Sequence, residues 1–175
     1  IPLCLVGSEM CIRDRDLNMS NIKKLDLIIW GATGFTGQLV SQYINKTYSS
    51  TNLKWGIAGR NKEKIFSIAK KLKINDDRVF IAESKNIESL LKLTSKTKVI
   101  CTTVGPYAKL GTNLIEACII SGTDYCDITG ETQWIRRIID KYHKLAEEKN
   151  IKIINSCGFD SIPSDMGVYL SLIHI

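Results

Sequence analysis

The sequence predicts an α/β fold in which six parallel strands form one doubly wound sheet. Three observations indicate this fold. Strand-like and helix-like segments alternate along the chain with short connections, which is typical of βαβ units. The first strand-like segment, LDLIIW, is a continuous apolar run suited to burial on both faces. Three glycines spaced three residues apart follow that run directly and precede a helix-like segment.

Each element is predicted from its hydrophobic period. The strands are predicted at residues 25–30, 53–59, 78–82, 98–105, 124–128 and 151–156. The helices are predicted at residues 35–46, 61–72, 86–93, 112–121 and 132–149, and the last of these places Trp134, Ile138 and Tyr142 on one face. Six strands are the full count of the dinucleotide-binding Rossmann fold, so the expected strand order is 3-2-1-4-5-6.

Composition limits the classes of protein to consider. The chain has 175 residues with a net charge of +6, and its lysines are scattered among acids with no basic block, so no nucleic-acid partner is expected. No apolar run approaches the roughly 18 to 20 residues that span a bilayer. The six cysteines form no C-x-x-C pair, which favours reduced thiols of a cytoplasmic protein over disulfides, and no metal site is predicted.

The two ends differ from the rest of the chain. Residues 1–15 match no periodic pattern, and both they and residues 171–175 resemble translated sequencing-adapter read-through, so we expect non-native tails there. We expect the natural start at Met19, an NAD(P)-binding domain at 19–158, and the beginning of a truncated second domain at 159–170. The chain is then an N-terminal fragment whose substrate domain is missing.

The stretch IIWGATGFTG is the strongest functional motif. Gly31 follows the first strand where the chain must turn, Gly34 stands where backbone would approach a pyrophosphate, and Gly37 stands where the first helix must pack on the sheet. Thr33 and Thr36 can add hydroxyl donors. The G-x-x-G-x-x-G spacing differs from G-x-G-x-x-G, and the alternative is an ordinary tight turn, but the strand before it and the helix after it favour a phosphate-binding turn.

The end of the second strand favours NADP(H) over NAD(H). A site for NAD needs an acidic residue there to bind the ribose 2′-hydroxyl, whereas this sequence reads AGRNKEK. Arg60 can form paired hydrogen bonds with a 2′-phosphate, with Asn61 and Lys62 beside it. The alternative is that Arg60 and Lys62 simply form a solvated helix start.

The fourth strand leads into TTVGPYAKLG, where ligands bind in doubly wound sheets. We expect Val104, Gly105 and Pro106 to form a rigid wall near the nicotinamide and Tyr107 to cover it. The alternative is a common Gly-Pro turn with a surface tyrosine.

Two further strand ends carry acids at the same edge of the sheet. Asp127, Glu131 and Asp160 are candidates for contacts with substrate or ribose, although a glutamate directly before a helix equally suits a capping role. We expect Cys157 to be a small buried residue and His143 to lie on the solvated face of its helix.

One pattern is absent from the sequence. No tyrosine is followed four positions later by a lysine, so the Tyr-Lys proton relay of short-chain dehydrogenases is not present. No other acid or base motif stands out, and the catalytic residues stay unassigned.

The ordered blocks DLIIWGATGFTG, WGIAGRN, TTVGPY, GTDYCDITGE and SCGFDSIPSD closely resemble the saccharopine dehydrogenase-like oxidoreductases. The likeness is greatest to the branch that contains the vertebrate saccharopine dehydrogenase-like protein and the bacterial trans-acting enoyl reductases, and it covers about residues 24–170. By this resemblance the cofactor contacts fall on Gly31, Thr33, Gly34, Phe35, Thr36, Gly37, Arg60, Asn61, Val104, Gly105, Pro106 and Tyr107.

The resemblance implies hydride transfer from NADPH to a C=C or C=N bond in a lipid-linked or amino-acid-derived substrate. It also implies a substrate domain after the Rossmann domain, and an association with a membrane or lipid-droplet surface in some members. A second class stays open, a non-catalytic nucleotide-sensing or lipid-surface scaffold protein. The fragment alone is expected to be inactive, and the sequence carries no expectation about oligomeric state.

Overall fold

The computed structural model describes residues 25–173, over which strands and helices alternate as the sequence predicts. The strands are β1 (Leu25–Trp30), β2 (Trp55–Gly59), β3 (Val79–Ile81), β4 (Thr97–Thr102), β5 (Asp124–Asp127) and β6 (Ile153–Ile154). The helices are α1 (Phe35–Thr47), α2 (Lys62–Leu72), α3 (Ile87–Thr94), α4 (Tyr107–Leu110), α5 (Thr112–Ser121), α6 (Thr132–Glu148) and α7 (Ile162–Ile173), with a 3-10 turn at Asp76–Arg78.

The six strands form one sheet, and every neighbouring pair is parallel. The strand order is β3-β2-β1-β4-β5-β6, so the predicted doubly wound topology is confirmed. The winding reverses between β1 and β4. The carboxyl ends of these two strands therefore flank the crevice where ligands bind in this fold.

The sheet is buried on both faces near its centre, which explains the unbroken apolar run in β1. Ile28 packs into a core with residues of α3, α5 and α6, whereas its neighbour Ile29 packs into a second core with residues of α1 and α2. Both side chains are fully buried. Successive residues of a strand point to opposite faces, so a strand between two helical layers must be apolar at every position.

Five of the six strands are shorter than predicted, and at the ends of β4 and β6 hydrogen bonds to side chains replace those of the sheet. β4 stops at Thr102, whose hydroxyl accepts a hydrogen bond from the Val104 N–H at 3.2 Å. β6 stops at Ile154, because Asn155 and Ser156 turn to donate hydrogen bonds to Asp127 at 2.7 and 3.0 Å. Helix α4, the 3-10 turn and α7 were not predicted.

The predicted tail 1–15 and the predicted start at Met19 lie outside the described residues. Of residues 171–175, the first three continue α7 and the last two lie outside the description. Within the described range, no helix combines the length and apolar character that crossing a bilayer requires.

Candidate functional site

A cleft of ≈ 540 Å³ lies at the carboxyl edge of the sheet, between the ends of β1 and β4. Its volume falls within the roughly 300 to 1,000 Å³ usual for small-molecule sites. The lining residues come from the ends of four neighbouring strands: Trp30, Gly31, Thr33, Gly34, Gly59, Arg60, Glu83, Ser84, Lys85, Thr103, Val104, Gly105 and Leu110. The structure thus brings the glycine turn, Arg60 and the loop after β4 to one place.

Two glycines of the turn are required by the fold itself. Gly31 has φ +92°, and a Cβ there would lie 2.6 Å from Cγ2 of Val104. A Cβ on Gly37 would lie 2.7 Å from the carbonyl carbon of Gly31 and 2.9 Å from Cα of Ala32. These residues allow α1 to start directly beside the end of β1, because a side chain at either position meets the opposite wall or the backbone.

Gly34 is required by neither conformation nor packing. Its φ is −80°, and the nearest described atom to a Cβ built on it is the Gly31 carbonyl oxygen at 3.4 Å. Gly34 is exposed in the cleft and is the N-cap of α1. Its lack of a side chain leaves the N-terminus of the helix open to a ligand.

The N-terminus of α1 is suited to a bound anion. Among the described residues, no side chain caps this helix and no acidic residue stands in its first turn. The N-cap Gly34 lines the cleft, so the free N–H groups of that turn and the positive end of the helix dipole lie at its edge. Together with Gly34, they form the arrangement that binds a pyrophosphate.

Arg60 follows the last residue of β2 and lines the same cleft with an exposed side chain. Lys85 lines the cleft from the loop after β3 and adds a second cation, with Glu83 beside it. Asn61 lies outside the lining, since its side chain accepts a hydrogen bond from the Lys64 N–H at 2.9 Å as the N-cap of α2. Asn61 was expected to contact the cofactor, but in the structure its side chain caps α2 instead.

The loop after β4 supplies Val104 and Gly105 to the cleft, as expected, but not the Tyr107 ring. Tyr107 is buried, its ring lies 5.7 Å from that of Trp134, and its hydroxyl donates to the Thr102 carbonyl at 3.3 Å. Burial raises the pKa of Tyr107 to about 12. The ring therefore lies outside the lining of the cleft that it was expected to cover. Pro106 also lies outside the lining and is the N-cap of α4.

Glu131 holds that loop in place. Its carboxylate accepts hydrogen bonds from the backbone N–H groups of Tyr107 at 2.6 Å and Ala108 at 2.9 Å. It thereby caps α4, which lies far away in sequence, rather than the helix that follows it, where no side-chain cap forms among the described residues. Glu131 acts as a positioning residue for the wall of the cleft, not as a substrate contact.

We expect Glu131→Gln to destabilise the protein by about 1 to 3 kcal/mol. A glutamine side chain keeps one oxygen acceptor, so either the Tyr107 or the Ala108 backbone N–H would lose its acceptor and face the glutamine NH₂ group, which is also a donor. Urea unfolding measures the loss, and hydrogen exchange of residues 103–108 should become faster. Glu148→Gln, at an exposed position, is the matched control and should change neither quantity. Equal stability of the two variants would contradict the positioning role.

Asp127 is a structural carboxylate rather than a candidate for substrate contact. It is buried and accepts hydrogen bonds from the Tyr125 hydroxyl, the Asn155 amide and the backbone N–H groups of Thr129 and Ser156. These bonds tie the ends of β5 and β6 together. Sequence reasoning did not anticipate this structural role, because three of the four donors come from turns and loops whose course it did not predict.

The remaining candidates lie outside the cleft. Asp160 is exposed in the loop before α7 and is not among the residues that line the cleft. Cys157 is exposed, not buried as expected. His143 is exposed on α6, as predicted, beside an apolar groove of ≈ 180 Å³ between α6 and β6.

Sequence reasoning missed the contribution of β3. Glu83, Ser84 and Lys85 follow this strand and line the cleft. The predicted strand order already carried the necessary signal, since β3 lies next to β2 and its carboxyl end must reach the same edge of the sheet. Thr33 lines the cleft, in the position that the sequence predicts. Phe35 and Thr36 lie outside the lining, and Phe35 is 82% exposed.

Comparison with known proteins decides the family. The sequence model of the saccharopine dehydrogenase NADP-binding domain matches residues 27–154, which is most of the chain. The chain belongs to this family. As a saccharopine dehydrogenase-type domain it is an NADP-binding domain of an oxidoreductase, and the preference for NADP(H) expected from Arg60 agrees with the family.

Several curated relatives are mycobacterial enzymes. The chain is 38% identical over 149 residues to the trans-acting enoyl reductase of Mycobacterium tuberculosis, and equally identical to that of Mycobacterium ulcerans. Each alignment covers 84% of this chain and 35% of the relative. The chain therefore spans about a third of the length of these relatives.

Solved structures share the fold at low sequence identity. Saccharopine dehydrogenase (L-Glu forming) of Saccharomyces cerevisiae superposes with a TM-score of 0.61 at 18% identity, over 78% of this chain and 28% of the yeast protein. The triphenylmethane reductase of a Citrobacter species, solved with NADP(H), gives a TM-score of 0.57 at 17% identity, over 75% of this chain and 48% of that protein.

The described residues fit an NADP-type nucleotide. The N-terminus of α1 suits the pyrophosphate, since its N-cap Gly34 lines the cleft and no described side chain caps the helix. Arg60 and Lys85 supply positive charge where a 2′-phosphate would lie, at the carboxyl ends of β2 and β3. The position directly after β2 holds Arg60 instead of the acid that would repel this phosphate.

Proposed function

We propose that this chain is the nucleotide-binding part of an NADPH-dependent reductase that acts on the C=C bond of an enoyl group. The single observation that carries the proposal is the 38% identity to trans-acting enoyl reductases across a segment that includes the whole cleft. A C=N bond, as in an imine, is the second substrate class consistent with the family. A lipid-linked substrate fits the enoyl class better than an amino-acid-derived one.

The proposed contribution of this chain is to bind and orient the nucleotide. NADPH, when bound, supplies the hydride. The N–H groups of α1 hold the pyrophosphate, Arg60 holds the 2′-phosphate, and Val104 with Gly105 forms the wall beside the nicotinamide half. Glu131 keeps that wall fixed through its two hydrogen bonds to the backbone of α4.

Arg60→Ala should weaken NADP⁺ binding by about tenfold and leave NAD⁺ binding unchanged, because only NADP⁺ carries the phosphate that pairs with the guanidinium. Calorimetric titration of each nucleotide measures both affinities. Lys62→Ala is the matched control, since Lys62 is an exposed cation two residues away and lies outside the cleft lining. A loss of affinity shared equally by both nucleotides would argue against a 2′-phosphate site at Arg60.

We further propose that residues 159–170 begin a substrate-binding domain. Phe159 is 88% exposed, and the apolar side chains of α7 such as Val168 and Tyr169 are more than half exposed. A surface of this kind is normally covered by another part of a protein. We expect residues 16–170 expressed alone to self-associate into soluble oligomers through this surface, and a monodisperse monomer in light scattering would contradict this.

A domain exchange tests the proposed reaction. The matched 149 residues of the Mycobacterium tuberculosis enzyme are replaced by those of this chain, and NADPH consumption is followed with an enoyl thioester and with an imine. We expect consumption with the enoyl substrate, and a higher KM for NADPH when Arg60→Ala is introduced.

Binding of NADP⁺ to the unmodified chain is measured in parallel. Nucleotide binding without turnover in the exchanged protein, while the parent enzyme stays active, would contradict the proposal and favour a nucleotide-sensing scaffold. Consumption with the imine alone would move the proposed substrate class to C=N bonds.

A further inference from the structure

Two cysteines face each other on adjacent strands below the cleft. Cys101 of β4 and Cys126 of β5 are register partners in the parallel sheet. Their neighbours Ile100 and Tyr125 are buried in the core beneath α5 and α6, so the alternation of strand side chains places both thiols on the opposite face. On that face the described helices α1 and α2 pack over β1, β2 and β3, and both cysteines stay partly exposed.

The distance between the two Cα atoms is compatible with a disulfide bond. Paired strands lie about 4.7 to 4.9 Å apart, and disulfides join Cα atoms roughly 4.4 to 6.8 Å apart. Parallel strands hold the Cβ atoms about as far apart as the backbones, somewhat farther than a relaxed disulfide prefers. A disulfide formed here would therefore be reduced more readily than a structural disulfide, which suits a reversible cross-link.

The two thiols differ in reactivity. Interaction with the adjacent Cys126 thiol lowers the pKa of Cys101, and interaction with Cys101 together with burial raises the pKa of Cys126. Cys101 is thus the thiol that more readily becomes a thiolate, and a thiolate is the nucleophile in oxidation. Cys157 is exposed nearby, and the partial desolvation of its thiol raises its pKa.

The pair is directly connected to the cleft wall. Cys101 precedes Thr102, whose hydroxyl accepts from the Val104 N–H and whose carbonyl accepts from the Tyr107 hydroxyl. Cys126 precedes Asp127, which ties β5 to the loop after β6. A disulfide must bring the two Cβ atoms closer together, and the resulting backbone adjustment would shift the residues that carry Val104.

We propose that Cys101 and Cys126 form a redox-active dithiol that a hydroperoxide converts into a reversible cross-strand disulfide, and that the disulfide weakens nucleotide binding. With hydrogen peroxide, the Cys101 sulfur attacks one oxygen, an S–O bond forms as the O–O bond breaks, and the departing hydroxide takes the Cys101 thiol proton to leave as water. The Cys126 sulfur then attacks the sulfenic sulfur, an S–S bond forms as the S–O bond breaks, and the released hydroxide takes the Cys126 proton to give a second water. Two thiols lose two electrons and the peroxide gains them.

Mass spectrometry tests the link on the full chain after treatment with hydrogen peroxide. Digestion with trypsin and chymotrypsin, which cut after Lys109 and Tyr125, places Cys101, Cys118 and Cys126 in separate peptides. We expect a peptide pair joined through Cys101 and Cys126 that dithiothreitol separates. Cys126→Ser should abolish it, and Cys157→Ser should leave it intact.

Titration with NADP⁺ tests the consequence. Oxidation should weaken binding by about tenfold in the wild type, within the usual range for coupled sites, and dithiothreitol should restore it. Cys126→Ser should bind equally well before and after peroxide. The titration rests on the nucleotide site proposed above, whereas the mass-spectrometric test of the disulfide does not. Failure of the proposed nucleotide site and failure of the proposed disulfide can therefore be distinguished. A link that involves Cys157 instead, no link at all, or a link without a change in affinity would each overturn the proposal.

Discussion

Gly37→Ala is expected to destabilise the protein by about 3 kcal/mol or more, the upper end of the range for overpacked sites. The added methyl would meet the Gly31 carbonyl group, with 2.7 Å to its carbon and 2.9 Å to Cα of Ala32. All of these are backbone atoms, which cannot rotate away as a side chain can. Helix α1 would have to move off the end of β1, and the two are joined by only four residues. Urea unfolding followed by tryptophan fluorescence measures the change.

Gly167→Ala is the matched control for Gly37→Ala. Gly167 also lies in a helix, and no described atom lies within 4 Å of a Cβ built on it. Alanine there should be neutral or stabilise by up to about 1 kcal/mol through helix propensity. If Gly37→Ala were as stable as Gly167→Ala, the close approach of α1 and β1 described above would be wrong.

Gly34→Ala is expected to weaken NADP⁺ binding by about 10- to 100-fold while costing at most about 1 kcal/mol of stability. The nearest described atom to the new methyl is 3.4 Å away, so the fold accommodates it. The methyl would instead occupy the space through which the first turn of α1 reaches a pyrophosphate. Hydrogen bonds to a charged phosphate are then lost while the protein stays folded.

Calorimetric titration and thermal unfolding together separate these two effects. Gly130→Ala serves as the control, because Gly130 has no described atom within 4 Å of a built Cβ and lies outside the cleft lining. Unchanged NADP⁺ affinity in Gly34→Ala would show that the glycine turn is not where the pyrophosphate binds. The contrast between Gly34 and Gly37 is informative because one glycine serves the ligand and the other serves the fold.

The sequence predicted those parts of the structure that depend on local pattern. The apolar period located every strand of the sheet, and the glycine turn between β1 and α1 was placed correctly because a strand and a helix flank it. Strand order followed from the number of strands and the short connections. The position of Arg60 in the cleft followed from the same reasoning, since it comes directly after β2.

The sequence failed where a side chain binds a partner that is distant along the chain. Glu131 was predicted as a candidate for substrate or ribose contact, with capping of the helix after it as the alternative, yet it caps α4, which precedes it by more than 20 residues. Tyr107 was expected to cover the nicotinamide, but its ring is buried against the Trp134 ring on α6. No periodic pattern encodes such contacts, because they depend on how the elements pack in three dimensions.

A crystal structure of the full chain with NADP⁺ tests the central claim most directly. The account predicts the pyrophosphate against the first turn of α1 at Gly34, the 2′-phosphate within hydrogen-bond distance of Arg60, and the nicotinamide half beside Val104 and Gly105. A nucleotide bound in the groove between α6 and β6, or a 2′-phosphate directed into solvent away from Arg60, would contradict it.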